Sequence, residues 1–61
     1  MANLTSKELT ALGDQLGYEQ MLIKKYRTMA NQCNDTALKT RLEGIAGLHQ
    51  QHYDKLADFL K

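Results

Sequence analysis

The stretch His49-Gln50-Gln51-His52 lies in the second half of a 61-residue chain and places two histidines where an amphipathic helix would carry leucines. Around it, residues recur in alternating steps of four and three, the spacing of the buried stripe of an α-helix. The members of this stripe are Leu38, Leu42, Ile45, His49, His52, Leu56 and Phe59. Both imidazoles are therefore predicted to face a helical core.

The first half of the chain carries a matching stripe, in which one position is also polar. Its members are Leu9, Leu12, Leu16, Glu19, Ile23, Tyr26, Ala30 and Cys33. The second stripe starts out of phase by one residue, after a cluster of Asn, Asp and Thr in which Asn34 and Asp35 are good N-cap residues. This phase change predicts two antiparallel helices rather than one long helix. Folding at this point brings Glu19 level with His49.

A capping box marks where the first helix begins. Thr5 is the expected N-cap, Glu8 follows three residues later, and Leu4 and Leu9 have the spacing of a hydrophobic staple. The predicted fold class is all-α, an antiparallel helical hairpin. It forms a single domain over residues 1–61, with helix 1 over about 6–32, the turn over about 33–35 and helix 2 over about 36–60.

Length and composition exclude several classes of protein. A chain of this size buries only about 60% of its unfolded surface, and its single cysteine excludes an internal disulfide. A formal net charge of +1 argues against a nucleic-acid partner. The chain has neither a signal-like N-terminus nor an apolar run of roughly 20 residues. We therefore expect cytoplasmic synthesis and no membrane partner.

The charges are sorted along the hairpin, and the sorting favours a homodimer. Residues 24–43 contain five basic and two acidic side chains, whereas the rest of the chain contains three basic and five acidic ones. The turn end is thus basic and the end with the termini acidic. Two helices alone leave their stripes half-exposed, so we expect a second copy with its turn at the opposite end, which completes a four-helix bundle.

Glu19, His49 and His52 are the candidate site residues, and two interpretations of them stay open. Histidines three apart on a helix can both ligate one ion, and a carboxylate completes a set suited to zinc, iron or manganese. The alternative is a buried structural cluster in which the carboxylate pairs with an imidazole and fixes the helix register. The first interpretation predicts a divalent transition metal, and the second predicts no cofactor.

No catalytic residues are predicted. The chain has no glycine-rich phosphate loop, no nucleophile with a neighbouring base and no paired general acid and base. Cys33 ends the first stripe, where a small apolar filler beside the turn is expected. We therefore expect a protein that is not an enzyme.

Several motifs together resemble the short spore-coat proteins of the Coat F type from endospore-forming Firmicutes. The matching residues are Leu4-Thr5-x-Lys7-Glu8-Leu9, Asp14-Gln15-Leu16-x-x-Glu19-Gln20-x-Leu22-x-Lys24-Lys25-Tyr26, Cys33-Asn34-Asp35, Leu38-Lys39-Thr40 and Ile45-Ala46-x-x-His49-Gln50-x-His52-Tyr53. The most distinctive of them is the His-Gln-x-His-Tyr run beside the Glu-Gln pair.

This resemblance implies a reduced member of the ferritin-like superfamily and a structural protein of the spore coat, made in the mother cell and packed against other coat proteins. In di-iron ferritin-like bundles, each half supplies a Glu from one helix and a Glu-x-x-His motif from the next. Glu19 matches the first Glu and His52 matches the histidine, but His49 stands in place of the bridging Glu. This departure argues against di-iron oxidase chemistry. A small metal-binding ferritin-like protein and a cytosolic helical adaptor are the alternative functions.

Overall fold

A computed structural model describes residues 3–61 of the chain as two α-helices that pack against each other. Helix α1 covers Ser6–Gln32, helix α2 covers Thr36–Ala57, and a short 3₁₀ helix follows at Asp58–Leu60. The described residues contain no strand. Because only three residues connect the two helices, α2 must run back along α1. The predicted helical hairpin is therefore confirmed.

Both helices begin at side-chain caps. The backbone N–H of Glu8 donates to Thr5 Oγ1 at 3.1 Å, and the N–H of Thr5 donates to Glu8 Oε1 at 3.0 Å, which confirms the capping box. Of the two N-cap candidates at the turn, Asp35 performs this role by accepting from the Leu38 N–H at 2.9 Å. These bonds satisfy backbone donors that have no partner within the first helical turn.

The end of the second helix differs from the prediction. Helix 2 was expected to reach about residue 60, but the α-helix stops at Ala57 and the chain tightens into the 3₁₀ helix. Bonds of the i→i+3 type, such as the one from the Lys61 N–H to the Asp58 carbonyl at 3.3 Å, satisfy the last carbonyls of the chain.

The contact between the helices is narrower than the two sequence stripes suggested. Its buried apolar residues are Ile23 and Ala30 of α1 and Leu42 and Ala46 of α2. Ile45, a member of the second stripe, is 36% exposed, because α2 turns the small Ala46 toward α1 instead. An alanine lets two helices approach closely, and this rotation moves the larger neighbouring side chains out of the contact.

The displaced side chains form one surface, which we call the open apolar face. Successive residues of a helix point about 100° apart, so positions lying to one side of the contact can be read from their spacing. The members of this face are Tyr18, Leu22 and Met29 of α1 and Leu38, Ile45, Leu48, His52 and Phe59 of α2 and the 3₁₀ helix. The opposite side of the hairpin is mainly polar and carries Gln20, Lys24, Arg27, Asn31, Glu43 and Gln50, together with the exposed Leu9.

The hairpin is a single layer of helices. It measures 46 × 16 × 11 Å, and its radius of gyration of 14.3 Å exceeds the roughly 10.5 Å expected of a compact chain of this length. Its accessible surface is 4790 Å², compared with about 4,000 Å² for a typical monomer of its mass. A domain normally needs a second layer to cover an apolar face.

Four glycines lie inside the helices, and a Cβ added at any of them would meet no atom within 4 Å. We predict that Gly17→Ala and Gly44→Ala each raise the free energy of unfolding by about 0.5–1 kcal/mol, because alanine loses less backbone entropy in a helix. Urea unfolding followed by circular dichroism at fixed protein concentration measures the effect. The two gains should add, since the sites lie on different helices, and a loss at either site would contradict the open space around it.

Candidate functional site

The three candidate residues meet at the middle of the hairpin. Glu19 is the central residue of α1, and the side chains of His49 and His52 reach it from α2. One ligand atom from each of the three side chains lies within 4.8 Å of the others. The predicted clustering of Glu19, His49 and His52 is thus present.

Glu19 is the only buried charged residue among the described ones, with 6% of its surface exposed. Its Oε1 atom lies 2.6 Å from His49 Nδ1, and its Oε2 atom accepts a hydrogen bond from Gln15 Nε2 at 3.1 Å. An ionised carboxylate can only accept, so His49 donates through Nδ1 and keeps Nε2 for another partner. Both carboxylate oxygens are therefore satisfied within one chain.

These hydrogen bonds decide the protonation of the carboxyl group. The bond from His49 lowers the pKa of Glu19 below its ordinary value of 4.5, against the opposing effect of burial, and the bond from Gln15 lowers it further. Glu19 is accordingly ionised at neutral pH. A buried ionised carboxylate needs such partners to offset its desolvation.

His52 completes the cluster differently from His49. Its Nδ1 atom lies 3.7 Å from Glu19 Oε1, beyond hydrogen-bond distance, and its side chain is 44% exposed against 20% for His49. The rings of His52 and His49 are nearly perpendicular, at 84°, with their centroids 5.4 Å apart. In the single chain the cluster therefore opens toward the open apolar face at His52, and burial of all three residues in a dimer stays a prediction.

Two further residues contact the cluster, although the sequence prediction did not include them in the site. The Tyr26 ring stacks on His49 with centroids 5.9 Å apart and planes 7° from parallel. Long side chains on a helix lean toward its N-terminus, so Tyr26 and His49 lean toward each other across antiparallel helices. For Gln15, the available signal was its position four residues before Glu19.

The geometry defines what the cluster can hold. Two atoms that ligate one zinc ion at about 2.0–2.1 Å in tetrahedral arrangement lie more than about 3 Å apart. His49 Nδ1 and Glu19 Oε1 are closer than this, at a hydrogen-bonded 2.6 Å. A metal ion that bound both atoms would displace the proton between them and would push the two side chains farther apart. Alternatively, the ion would use His49 Nε2, with Glu19 orienting the ring from behind.

Comparison with known proteins finds one informative relative. It is the uncharacterized protein YuzM of Bacillus subtilis strain 168, which is 31% identical over 58 residues that span 95% of this chain and 72% of the relative. The chain belongs to the YuzM family. No family model matches the sequence, and no solved structure shows significant similarity to it. The resemblance to Coat F proteins therefore stays a prediction from the quoted residues.

Within residues 3–61, neither helix combines the length and the hydropathy that crossing a bilayer requires.

The lowered pKa of Glu19 predicts how stability depends on pH. A carboxyl group whose folded pKa is depressed stabilises the fold above its unfolded value, and this contribution is lost as the pH falls through the folded pKa. As the pH falls below about 4.5, the free energy of unfolding should therefore decrease more steeply for the native chain than for Glu19→Gln. The difference between the two free energies of unfolding should narrow accordingly. Thermal unfolding from pH 3 to pH 7 measures this, with Glu43→Gln as the exposed control. Parallel curves for the native chain and Glu19→Gln would contradict the prediction.

Proposed function

We propose that this protein is a structural assembly protein that acts by self-association and catalyses no reaction. Its unit is a homodimer in which two hairpins form a four-helix bundle of the ferritin-like kind. The observation that carries the proposal is the open apolar face of a hairpin only one helix thick. The similarity to YuzM assigns the chain to a family but favours no particular function.

The exposure of large apolar side chains supports self-association. Tyr18 is 53% exposed, Leu38 and Leu48 are 50% exposed, and Phe59 is 52% exposed, all on the same side of the hairpin. Contiguous apolar patches of this kind mark interaction surfaces on small proteins. By contrast, the other side of the hairpin carries charged and amide side chains that water solvates well.

The surface area supports the same proposal. The hairpin exposes about 800 Å² more than a compact monomer of its mass, which is about the area that each partner buries in a standard interface. A second copy is the simplest partner that supplies a matching apolar face at equal concentration. Closing the two faces on each other gives the second layer that one hairpin lacks.

The proposed location is the spore coat, after synthesis in the mother cell, with other coat proteins as further partners. This part of the proposal rests on the resemblance to Coat F proteins. The polar side of each hairpin would remain outside the bundle, where it is available to neighbouring components. A cytosolic helical adaptor, whose apolar face docks on helices of another protein, is the alternative that a monomeric chain would favour.

A metal-binding protein is the second candidate function. It is favoured by one observation, the convergence of ligand atoms from Glu19, His49 and His52 within 4.8 Å. The hydrogen-bonded spacing of Glu19 and His49 favours the structural interpretation of the same cluster. The two interpretations predict different effects of Glu19→Leu. A carboxylate that only fixes the register can be replaced by an apolar side chain without loss of the dimer. A carboxylate that ligates a metal ion cannot be replaced in this way without loss of the ion.

We predict that Ile45→Glu weakens the dimer by at least about a hundredfold in dissociation constant. Each copy would lose a buried apolar side chain and gain a charge, and a two-fold interface contains the substitution twice. Light scattering and sedimentation equilibrium at micromolar concentration measure it. Met21→Glu is the matched control, since Met21 is 54% exposed but lies on the side of α1 that faces away from α2. A native chain that stays monomeric would contradict the proposed function.

For the metal candidate, the test is elemental analysis of protein purified without a histidine tag. The structural interpretation predicts less than about a tenth of an equivalent of zinc, iron or manganese, with no rise after reconstitution. One equivalent that disappears in His49→Ala and in Glu19→Leu would instead establish the metal site. Light scattering on the same samples shows whether the dimer survives each substitution.

A further inference from the structure

We infer that the two copies pair antiparallel across the open apolar face, about a two-fold axis that passes beside Glu19, and that this pairing closes the polar cluster. The inference rests on the proposed self-association and adds the register and the role of the partner at the site.

Positions along the hairpin follow from the helical rise of about 1.5 Å per residue, measured from Glu19. Leu22 and Ile45 lie about 5 Å toward the turn, and His52 lies about 5 Å toward the termini. Near the turn, Leu38 lies about 15 Å from Glu19, and Phe59 lies about as far in the opposite direction. The outermost apolar side chains of α2 and the 3₁₀ helix, Leu38 and Phe59, therefore lie almost equally far from the middle of the hairpin, in opposite directions.

A two-fold axis through the middle matches these positions between copies. Each Phe59 meets the partner's Leu38, and each His52 meets the partner's Leu22 and Ile45. Because Glu19 is the central residue of α1, this register also overlaps the two faces over their full length. A displaced register would leave apolar side chains uncovered at both ends.

Charge selects the antiparallel orientation over the parallel one. The turn end carries the excess of basic side chains and the opposite end the excess of acidic ones. Parallel pairing would place two basic ends together and two acidic ends together, whereas antiparallel pairing sets each basic end beside an acidic end. The apolar positions and the charges thus favour the same arrangement.

The pairing completes the site that one chain leaves open. His52 is the exposed side of the cluster, with 44% of its side chain accessible, and its Nδ1 atom lies beyond hydrogen-bond distance of Glu19. In the antiparallel dimer the partner's apolar side chains lie over it and shield the Glu19–His49 pair from water. The cluster then lies in a buried layer to which both copies contribute. The partner covers the side of the cluster that one chain leaves exposed to solvent.

Disulfide trapping tests the orientation, because the chain offers one native cysteine at the turn end. In a single hairpin, Cys33 and Lys61 lie at opposite ends of a molecule 46 Å long, far beyond the roughly 7 Å between Cα atoms that a disulfide spans. In the antiparallel dimer, Cys33 and the partner's Lys61 lie at the same end of the bundle, within about 5 Å of each other along its axis, and Lys61 follows the last helix, so that its backbone can move to close the sideways distance of about 10 Å between helices. The variant Lys61→Cys should therefore form disulfides between Cys33 of one copy and the introduced thiol of the other.

The experiment oxidises Lys61→Cys at micromolar concentration and maps the disulfides by mass spectrometry of unreduced peptides. The expected result is a covalent dimer in which more than about half of the disulfides join Cys33 to the introduced C-terminal cysteine. The native chain, with Cys33 alone, should stay uncrosslinked, and so should Cys33→Ser combined with Lys61→Cys. These controls exclude random collision as the source of the bonds.

Two measurements distinguish failure of the proposed function from failure of the orientation or the register. Light scattering under reducing conditions is done first, and a monomer there would overturn the proposed function together with the inference. A dimer whose native chain forms disulfides between its two Cys33 residues would overturn the antiparallel orientation alone. A dimer of Lys61→Cys in which Cys33 never bonds to the introduced cysteine would overturn the register. Self-association would stand in the last two cases.

Discussion

The hydrogen bond between Glu19 and His49 is the interaction on which the arrangement of this hairpin depends. It is the shorter of the two histidine–carboxylate contacts between the described helices, and it lies halfway along α1. Sliding α2 by one turn away from the connecting turn would leave the buried carboxylate facing Ile45 and Ala46, which is costly, whereas sliding leucine past leucine costs little. The pair therefore fixes the register, and the placement of every other side chain follows from that register.

Much of this fold could be predicted from local signals. The capping box at Thr5, the N-cap at Asp35 and the phase change between the stripes together define a hairpin, because each acts through neighbours in the sequence. The meeting of Glu19 and His49 followed from counting back from the turn. Such predictions succeed when short-range chemistry determines the outcome.

The rotation of α2 could not be predicted in the same way. The spacing of the sequence stripe favoured Ile45 as a core residue, but its neighbour Ala46 is the residue buried against α1. Whether a large side chain faces the first partner helix or a later one depends on the whole assembly, which periodicity alone does not describe. The same reasoning explains Tyr26, whose ring reaches His49 through the tilt of its side chain rather than through its level in the hairpin.

The 11 Å thickness of the hairpin has a consequence for the cell that makes it. If two such layers must meet before either is well covered, the folded fraction rises with the amount of chain present. Slow synthesis would then leave single hairpins that open readily and are degraded by proteases, whereas a burst of synthesis would convert them into a resistant form. Abundance itself would act as the switch between turnover and accumulation.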